Sequence, residues 1–178
     1  MYIAEPVHDA ARGVGEEGTA RGGGPKIRLD LPQVPWPLSH VRGDGDLLYS
    51  AVYNVISNAS KYTSPGGTVE VRGREESGTV TIEVADTGIG VPQADLPAVW
   101  SELARAGNAR GLPGSGLGPA LVSTIVRRHG GSVRTASRAG VGTRVWLSLP
   151  STGPPDTPGP PAAPAAAPQE PHVHPPPP

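Results

Sequence analysis

The order of hydrophobic patterns along residues 26–150 constrains the fold of this chain more than any other feature. One strand-like segment precedes a helix with two strands after it. A polar, glycine-rich stretch at 87–115 follows, and then a second helix with two further strands. Amphipathic helices and strands bury their apolar faces against one another in layers. The order therefore predicts an α+β fold: a two-layer α/β sandwich with a mixed, mostly antiparallel sheet and helices on one face.

The bounds of these elements follow from breaks in the patterns. Asp44 or Asp46 can cap the first helix. Leu117, Leu121 and Ile125 recur at four-residue spacing in the second helix, which is typical of one helix face. The predicted strands are 26–31, 68–74, 79–86, 132–137 and 142–149, and the predicted helices are 44–62 and 117–129, with a short helix near 96–104 and a hairpin turn at 77–78.

Proline is concentrated at one end of the chain. Of 23 prolines among 178 residues, twelve lie in residues 151–178, which cannot bury enough apolar surface to offset the entropy of ordering. We expect a disordered or polyproline-like tail there, an inert linker rather than a ligand for a proline-reading domain. Residues 1–25 are poor in large apolar side chains, so we expect a flexible segment with at most a short helix near 3–12. The packed domain is then 26–150.

The overall composition excludes several classes of protein. A formal net charge of −1 gives no reason to expect a nucleic-acid partner or an anionic membrane surface. The chain has no cysteine, which excludes disulfides and thiolate metal sites and suits a reducing compartment. No apolar run approaches the roughly 20 residues of a membrane span, and no signal peptide is visible. We therefore expect a cytoplasmic chain without membrane contact.

The first of three motifs, NVISNASKYT, lies in the first predicted helix. Asn54, Asn58 and Lys61 fall on one polar side of a helix that is otherwise apolar. Amide oxygens are hard ligands that suit Mg²⁺, and a lysine ammonium can reach a phosphate. The alternative is the ordinary solvent face of an amphipathic helix.

The second motif, DTGIGVP, follows a strand. Asp86 can accept a hydrogen bond from an exocyclic amine such as that of adenine, and Gly88 and Gly90 let the backbone approach a flat ring. The alternative is an ordinary turn. The same Asp-Thr-Gly triplet is catalytic in aspartic proteases, but that interpretation needs a second copy or a homodimer, and the chain has one copy.

The third motif, GSGLG, opens the second predicted helix. Gly114, Gly116 and Gly118 expose backbone N–H groups at a positive helix end, which favours an anion. The spacing matches neither a Walker loop nor the dinucleotide fingerprint, and a flexible loop is the alternative. Taken together, the three motifs predict a pocket for a purine nucleoside triphosphate and its magnesium ion.

From about Asp44 to Pro150 the chain resembles the catalytic and ATP-binding domain of bacterial sensor histidine kinases, in the gyrase–Hsp90–kinase–MutL superfamily. The three motifs look like that family's N box and two glycine boxes, and GVGTRVWLSLP looks like its closing strand. The resemblance implies a Bergerat ATP-binding fold that binds ATP and Mg²⁺. It implies that Asp86 reads adenine, that Asn58 holds Mg²⁺, and that Thr143 lies near the adenine pocket. It places these further residues around the nucleotide: Asn54, Lys61, Tyr62, Gly88, Gly90, Gly114, Gly116, Leu117 and Gly118.

The chain also departs from that family. None of its five histidines lies in the His-Glu-Leu-Arg-Thr-Pro context of the phosphoacceptor, and no residue is assigned a catalytic role. Trp100 stands among the positions where the family carries phenylalanines, and Pro119 stands where it carries leucine. We therefore expect the phosphoryl-donor domain of a two-component histidine kinase. Its partners would be a helical dimerisation and phosphoacceptor domain in trans and a response regulator. The alternatives are a non-catalytic nucleotide-binding module, or degenerate kinase fragment, and an anti-sigma-type serine kinase.

Overall fold

The structure, a computed structural model, describes residues 1–20, 22–33, 37–98 and 118–153. The predicted site residues Gly114, Gly116 and Leu117, most of the short helix predicted at 96–104, and the tail from residue 154 lie outside this part of the chain. The elements are α1 (Ala4–Ala20), β1 (Lys26–Asp30), α2 (Gly45–Lys61), β2 (Thr68–Glu76), β3 (Thr79–Asp86), a 3₁₀ turn (Leu96–Ala98), α3 (Gly118–Arg128), β4 (Ser132–Arg138) and β5 (Gly142–Pro150).

The five strands form one sheet in the order β1-β2-β3-β5-β4. β1 runs parallel to β2, and the other neighbours are antiparallel. The β2–β3 turn at Ser77 and Gly78 has φ values of 50° and 73°, both in the left-handed region that a tight hairpin turn requires. Alternate side chains, among them Val71, Val84 and Leu147, are buried on the face toward the helices. The predicted mixed, mostly antiparallel sheet with helices on one face is confirmed.

The helix α2 begins where the sequence predicted. Of the two candidate caps, Asp44 is the N-cap: its Oδ1 accepts hydrogen bonds from the N–H groups of Asp46 (3.0 Å) and Leu47 (3.1 Å). These bonds satisfy two of the donors that a helix start leaves without intrahelical partners. The buried side of α2 packs on the sheet and comprises Leu48, Ala51, Val52, Val55, Ile56 and Ala59.

The N-terminal residues differ from their prediction. We expected at most a short helix near 3–12 and then a loop, whereas α1 runs over 17 residues from Ala4 to Ala20. Its small apolar residues recur at helical spacing, and Val7, Ala10 and Val14 are buried in the same core as the sheet. The expectation is wrong because packing against α2 overrides the poor helix propensity of glycine.

The buried side of α3 includes Ile125, as the spacing predicted, but not Leu121. Leu121 is 45% exposed, whereas Val122, Ile125 and Val126 are buried. Pro119 lies in the first turn of α3, where a proline takes no donor away from an intrahelical bond.

His129 joins the end of α3 to the start of α2. Its Nδ1 lies 2.7 Å from the carbonyl oxygen of Ile125, and its Nε2 accepts the N–H of Asp44 at 3.0 Å. With Nε2 as the acceptor, Nδ1 is the donor to Ile125. His129 thus has a defined partner at the start of the neighbouring helix.

No helix in the described ranges is both long enough and apolar enough to cross a bilayer.

Candidate nucleotide site

Asp86 is held at the end of β3 by two main-chain donors. Its Oδ1 accepts the N–H of Gly88 at 2.8 Å and the N–H of Thr143 at 3.2 Å. Both bonds use one oxygen, so the orientation of the carboxylate is fixed while Oδ2 can accept from a ligand. The side chain is half-buried. Burial raises the pKa of Asp86, and the hydrogen bonds from Gly88 and Thr143 oppose that rise without cancelling it.

The glycines of the second motif are required because the backbone packs closely around them. A Cβ at Gly88 would lie 2.4 Å from the carbonyl oxygen of Tyr62, and one at Gly90 would lie 2.1 Å from that of Arg138. Gly90 also has a φ of +65°, which disfavours a side chain. Ile89 N donates to Tyr62 O at 3.1 Å, so this loop is attached to the end of α2. The motif is therefore a packed turn between α2 and the β4–β5 hairpin.

Ser137 connects the loop to the strand that carries Thr143. Its hydroxyl accepts the N–H of Val91 at 2.8 Å and donates to the carbonyl oxygen of Gly142 at 2.8 Å. The hydroxyls of Ser137 and Thr143 are 2.8 Å apart. Sequence reasoning missed Ser137. The sequence pattern could have identified it, because Ser137 is a polar residue on the same face of β4 as Val133, the face toward the helices.

The first and third motifs meet where α2 passes the start of α3. Asn54 Nδ2 donates to Ser50 O at 2.7 Å, which leaves Oδ1 directed away from the helix backbone. A Cβ at Gly118 would lie 3.0 Å from Asn54 Oδ1 and 3.5 Å from Asn58 Nδ2. The absence of a side chain at Gly118 thus lets α3 begin directly beside both amides. Gly114, Gly116 and Leu117 lie outside the described residues.

Lys61 and Tyr62 border the same region at the end of α2. The Lys61 ammonium lies 4.9 Å from the centroid of the Tyr62 ring, within the range of a cation–π contact. Tyr62 is also the C-cap residue of α2, and its carbonyl oxygen is the one that contacts the Asp86 loop. The described residues named from the sequence thus form two groups that the end of α2 connects. One surrounds the Asp86 loop, and the other is the pair of amides beside Gly118.

The donor set of this site fits a magnesium ion that takes most of its ligands from elsewhere. Within the described ranges no cluster of three or more His, Asp or Glu side chains could hold a metal. Asn54 and Asn58 supply amide groups, and Mg²⁺ is usually bound through one or two protein oxygens together with waters and phosphate oxygens. The residues fit an ion that arrives with a nucleotide.

The fold is an α/β sandwich with a hydrogen-bonded carboxylate at the end of β3 and two amides of α2 beside the start of α3. The chain belongs to the family of histidine kinase-, DNA gyrase B- and HSP90-like ATPases, which matches residues 43–153. The resemblance to the ATP-binding domain of histidine kinases is thereby confirmed.

Named relatives agree with that assignment. The signal transduction histidine-protein kinase/phosphatase MprB of Mycobacterium sp. (strain KMS) is 38% identical over 138 residues, covering 75% of this chain and 26% of the relative. A solved structure of a mycobacterial sensor histidine kinase MprB has a TM-score of 0.75 at 29% identity, covering 85% of this chain and 97% of that one. The structure of full-length ShkA in complex with AMPPNP matches with a TM-score of 0.71 at 25% identity, covering 85% of this chain and 30% of that one. The chain spans about a quarter of the length of the MprB relative.

Proposed function

We propose that this chain binds ATP with Mg²⁺ and serves as the phosphoryl-donor domain of a sensor histidine kinase. The observation that carries the proposal is the anchored carboxylate of Asp86, with its Oδ1 bonded to Gly88 and Thr143. It lies in a fold shared with named histidine kinases and with ShkA, which was solved in complex with AMPPNP.

At the adenine end, Asp86 accepts the exocyclic amine through Oδ2. A hydrogen bond to a charged group contributes about 1.5–3 kcal/mol. Guanine presents a carbonyl oxygen at the equivalent position, which would face a carboxylate oxygen with no proton between them. The pocket should therefore prefer ATP to GTP.

At the phosphate end, Asn58 would hold the magnesium ion with Asn54 beside it, and Lys61 would approach the phosphates as a point charge. When bound, Mg²⁺ neutralises charge that develops on the phosphoryl oxygens. The side chains of this domain bind and orient the triphosphate and supply no nucleophile. The amides therefore help to position the triphosphate and take no part in covalent chemistry.

The phosphoryl acceptor would be a histidine on a helical dimerisation domain acting in trans, with a response regulator as the next acceptor. In such a transfer the γ-phosphorus–oxygen bond to ADP breaks and a phosphorus–nitrogen bond to imidazole forms. ADP leaves with the electron pair of the broken bond. The imidazole gives up its proton to a base outside this chain.

Isothermal titration with ATP and GTP, each with and without Mg²⁺, tests the binding step. We expect ATP to bind more tightly than GTP, and Asn58→Ala to weaken ATP binding only when Mg²⁺ is present. Tyr49→Ala, on the same helix away from the polar face, is the matched control. No binding at millimolar ATP by a folded chain, or equal affinity for ATP and GTP, would contradict the proposal.

Transfer of labelled phosphate from ATP to a separately prepared helical dimerisation domain tests the catalytic step. We expect acid-labile, alkali-stable phosphate on that domain and none on this chain alone. ATP binding without any transfer would favour the alternative of a non-catalytic nucleotide-binding module.

A further inference from the structure

The strand β1 lies at the end of the sheet, and among the described residues no strand pairs with its outer edge. Lys26 N donates to the carbonyl oxygen of Gly67 at 2.9 Å, directly before β2. Main-chain groups alternate in direction along a strand. Those of Arg28 therefore also point to β2, whereas those of Ile27 and Leu29 point to the outer edge. Such an edge can hydrogen-bond to another strand.

The same alternation continues one residue beyond β1. Leu31 precedes Pro32, and a residue before proline is kept extended because the helical region is disfavoured there. A Cβ at Gly73 would lie 2.7 Å from Leu31 Cδ2, which continues the register that sets Asp30 opposite Arg72. The main-chain groups of Leu31 therefore point to the outer edge. The N–H that Pro32 lacks would have pointed the other way.

A groove of about 800 Å³ lies between α1 and β1. Ile27 and Leu29 line it from the strand, and Leu29 is 37% exposed. The helix contributes the small residues Ala11 and Gly15 to the groove. The edge of β1 thus has space beside it on the side of the sheet that carries the helices.

The charged groups of α1 that line this groove select no particular partner. Glu16 is acidic and Arg12 is basic, with His8 one turn before Arg12. Arg12 also forms an ion pair with Asp9 at 2.9 Å. The choice of partner therefore depends on β1 itself.

The sequence of β1 is complementary to a second copy of itself. Two antiparallel strands related by a two-fold axis can meet with Leu29 opposite Leu29, and with Ile27 opposite Leu31. All these residues direct their main-chain groups to the edge, so each pair can exchange both hydrogen bonds. On the other face of the sheet, Arg28 of each copy then stands opposite Asp30 of the other, and opposite charges in that position stabilise a strand pair.

The neighbouring registers are less favourable. A register centred on Arg28 pairs Lys26 with Asp30 but sets the two copies of Arg28 opposite each other. A register centred on Asp30 sets two carboxylates opposite each other. Like charges directly opposite destabilise a strand pair. The charges of β1 therefore favour the register centred on Leu29.

The adjacent strand does not neutralise the two charges of β1 that would meet the second copy. Glu70 and Arg72 lie beside Arg28 and Asp30 on β2, but they form an ion pair with each other at 2.8 Å. Arg28 and Asp30 are exposed, and neither is in an ion pair with another residue of the described ranges. Across the joined sheets the charges would alternate in sign, from Glu70 and Arg28 to Asp30 and Arg72 of the second copy.

We propose that two copies of this chain join their sheets through β1, antiparallel and with Leu29 on the two-fold axis. The contact is short, so the dimer is transient and depends on concentration. None of the paired residues belongs to the nucleotide site, and the proposal does not depend on ATP binding.

Amide hydrogen exchange followed by NMR at low and at millimolar chain concentration tests the proposal. We expect the amides of Ile27, Leu29 and Leu31 to exchange more slowly at the higher concentration. The amides of Arg28 and Asp30 point to β2 and should exchange equally at both concentrations. This alternation distinguishes main-chain pairing at the edge from a contact made through side chains.

Charge reversals test the register. Arg28→Glu should raise the Kd of the dimer at least about tenfold in sedimentation, because it sets carboxylates opposite each other on both sides of the axis. Asp30→Lys should do the same with two cations. An equimolar mixture of these two variants should dimerise again, because each strand then meets a charge of opposite sign. Arg128→Glu, at an exposed arginine of α3, is the matched control and should leave the Kd unchanged.

A proline substitution separates pairing from folding. Leu29→Pro removes the N–H at the two-fold axis but none of the bonds to β2, a position where an edge strand tolerates proline. We expect it to abolish the dimer while thermal unfolding at low concentration remains cooperative. Arg28→Pro removes a bond to β2 and should instead lower the melting temperature.

Three results would overturn the proposal. One is exchange of the Ile27, Leu29 and Leu31 amides that does not change up to millimolar concentration. Another is protection of these amides at every concentration, which would mean that another segment of the same chain covers the edge. The third is a mixture of Arg28→Glu and Asp30→Lys that associates no better than either variant alone.

Discussion

Replacing Asp86 by asparagine separates the proposed nucleotide-binding role of this side chain from any structural role. Asparagine has nearly the same shape and can keep the two hydrogen bonds from Gly88 and Thr143 through its single oxygen. Its amide nitrogen then takes the place of Oδ2. An N–H group would face the amine of adenine, so a charge-assisted bond is replaced by two opposed donors.

The expected loss of affinity follows from that exchange. Losing a hydrogen bond to a charged group costs about 1.5–3 kcal/mol, which corresponds to roughly a 10- to 150-fold rise in the Kd for ATP. The effect on the fold has the opposite sign. Because burial raises the pKa of Asp86 above its ordinary value, the folded chain binds this proton more tightly than the unfolded chain. The contribution of Asp86 to stability is therefore fully present below its ordinary pKa and is lost as the pH rises through the raised one.

At neutral pH Asp86→Asn should therefore weaken ATP binding while the melting temperature without nucleotide stays equal or rises. Isothermal titration and thermal unfolding across a pH series measure both effects, and Asp30→Asn at the exposed end of β1 is the matched control. Unchanged ATP affinity would refute the adenine assignment. A large fall in the melting temperature would show instead that Asp86 mainly holds the fold together.

Three further perturbations test the packing. Gly90→Ala should lower the free energy of unfolding by about 2–4 kcal/mol, because a Cβ there would meet a carbonyl oxygen at 2.1 Å. Gly140→Ala, which has a φ of +76° but open space around it, should lower it by about 1 kcal/mol. Denaturant titration measures both, and equal costs would contradict the steric argument. Val7→Ala should lower the free energy of unfolding by about 2 kcal/mol, because Val7 is fully buried. Val141 is 60% exposed, so Val141→Ala should lower it by less than about 0.5 kcal/mol. No effect of Val7→Ala would mean that α1 does not belong to the core. Burial tends to raise the pKa of Glu75, but hydrogen bonds from two serines outweigh this effect, and the pKa is lowered overall. Glu75→Gln should therefore reduce the loss of stability as the pH falls. An unchanged fall in melting temperature at acid pH would contradict this.

The sheet could be predicted from the sequence because its signals are local. Val69 and Val71 on β2 and Val80, Ile82 and Val84 on β3 alternate with polar residues, and each of them is buried. The hairpin between the two strands needs two residues with positive φ, which Ser-Gly supplies. The same alternation also predicts where β3 ends, at Asp86.

The parts that could not be predicted depend on tertiary contacts. The glycines in α1 argue against a helix until the packing of Val7 and Val14 on the core is known. The leucine spacing predicted that Leu121 would be buried, but the way α3 packs against α2 and the sheet buries Val122 instead. Ser137 acquires its role only when β4 lies beside β5 and the Asp86 loop. Each of these cases is decided by a neighbour that is distant in sequence.

If Asp86 binds adenine as proposed, it links the stability of the fold to its ligand. Among the described residues the half-buried carboxylate accepts hydrogen bonds at Oδ1, and burial raises its pKa despite them. The amine of adenine would add a donor at Oδ2, so ionised Asp86 would favour the bound state. A ligand at 100 times its Kd stabilises a folded protein by about 2.7 kcal/mol. For this chain, the Asp86 part of that gain should grow as the pH rises through the raised pKa, because only the ionised carboxylate can accept the amine.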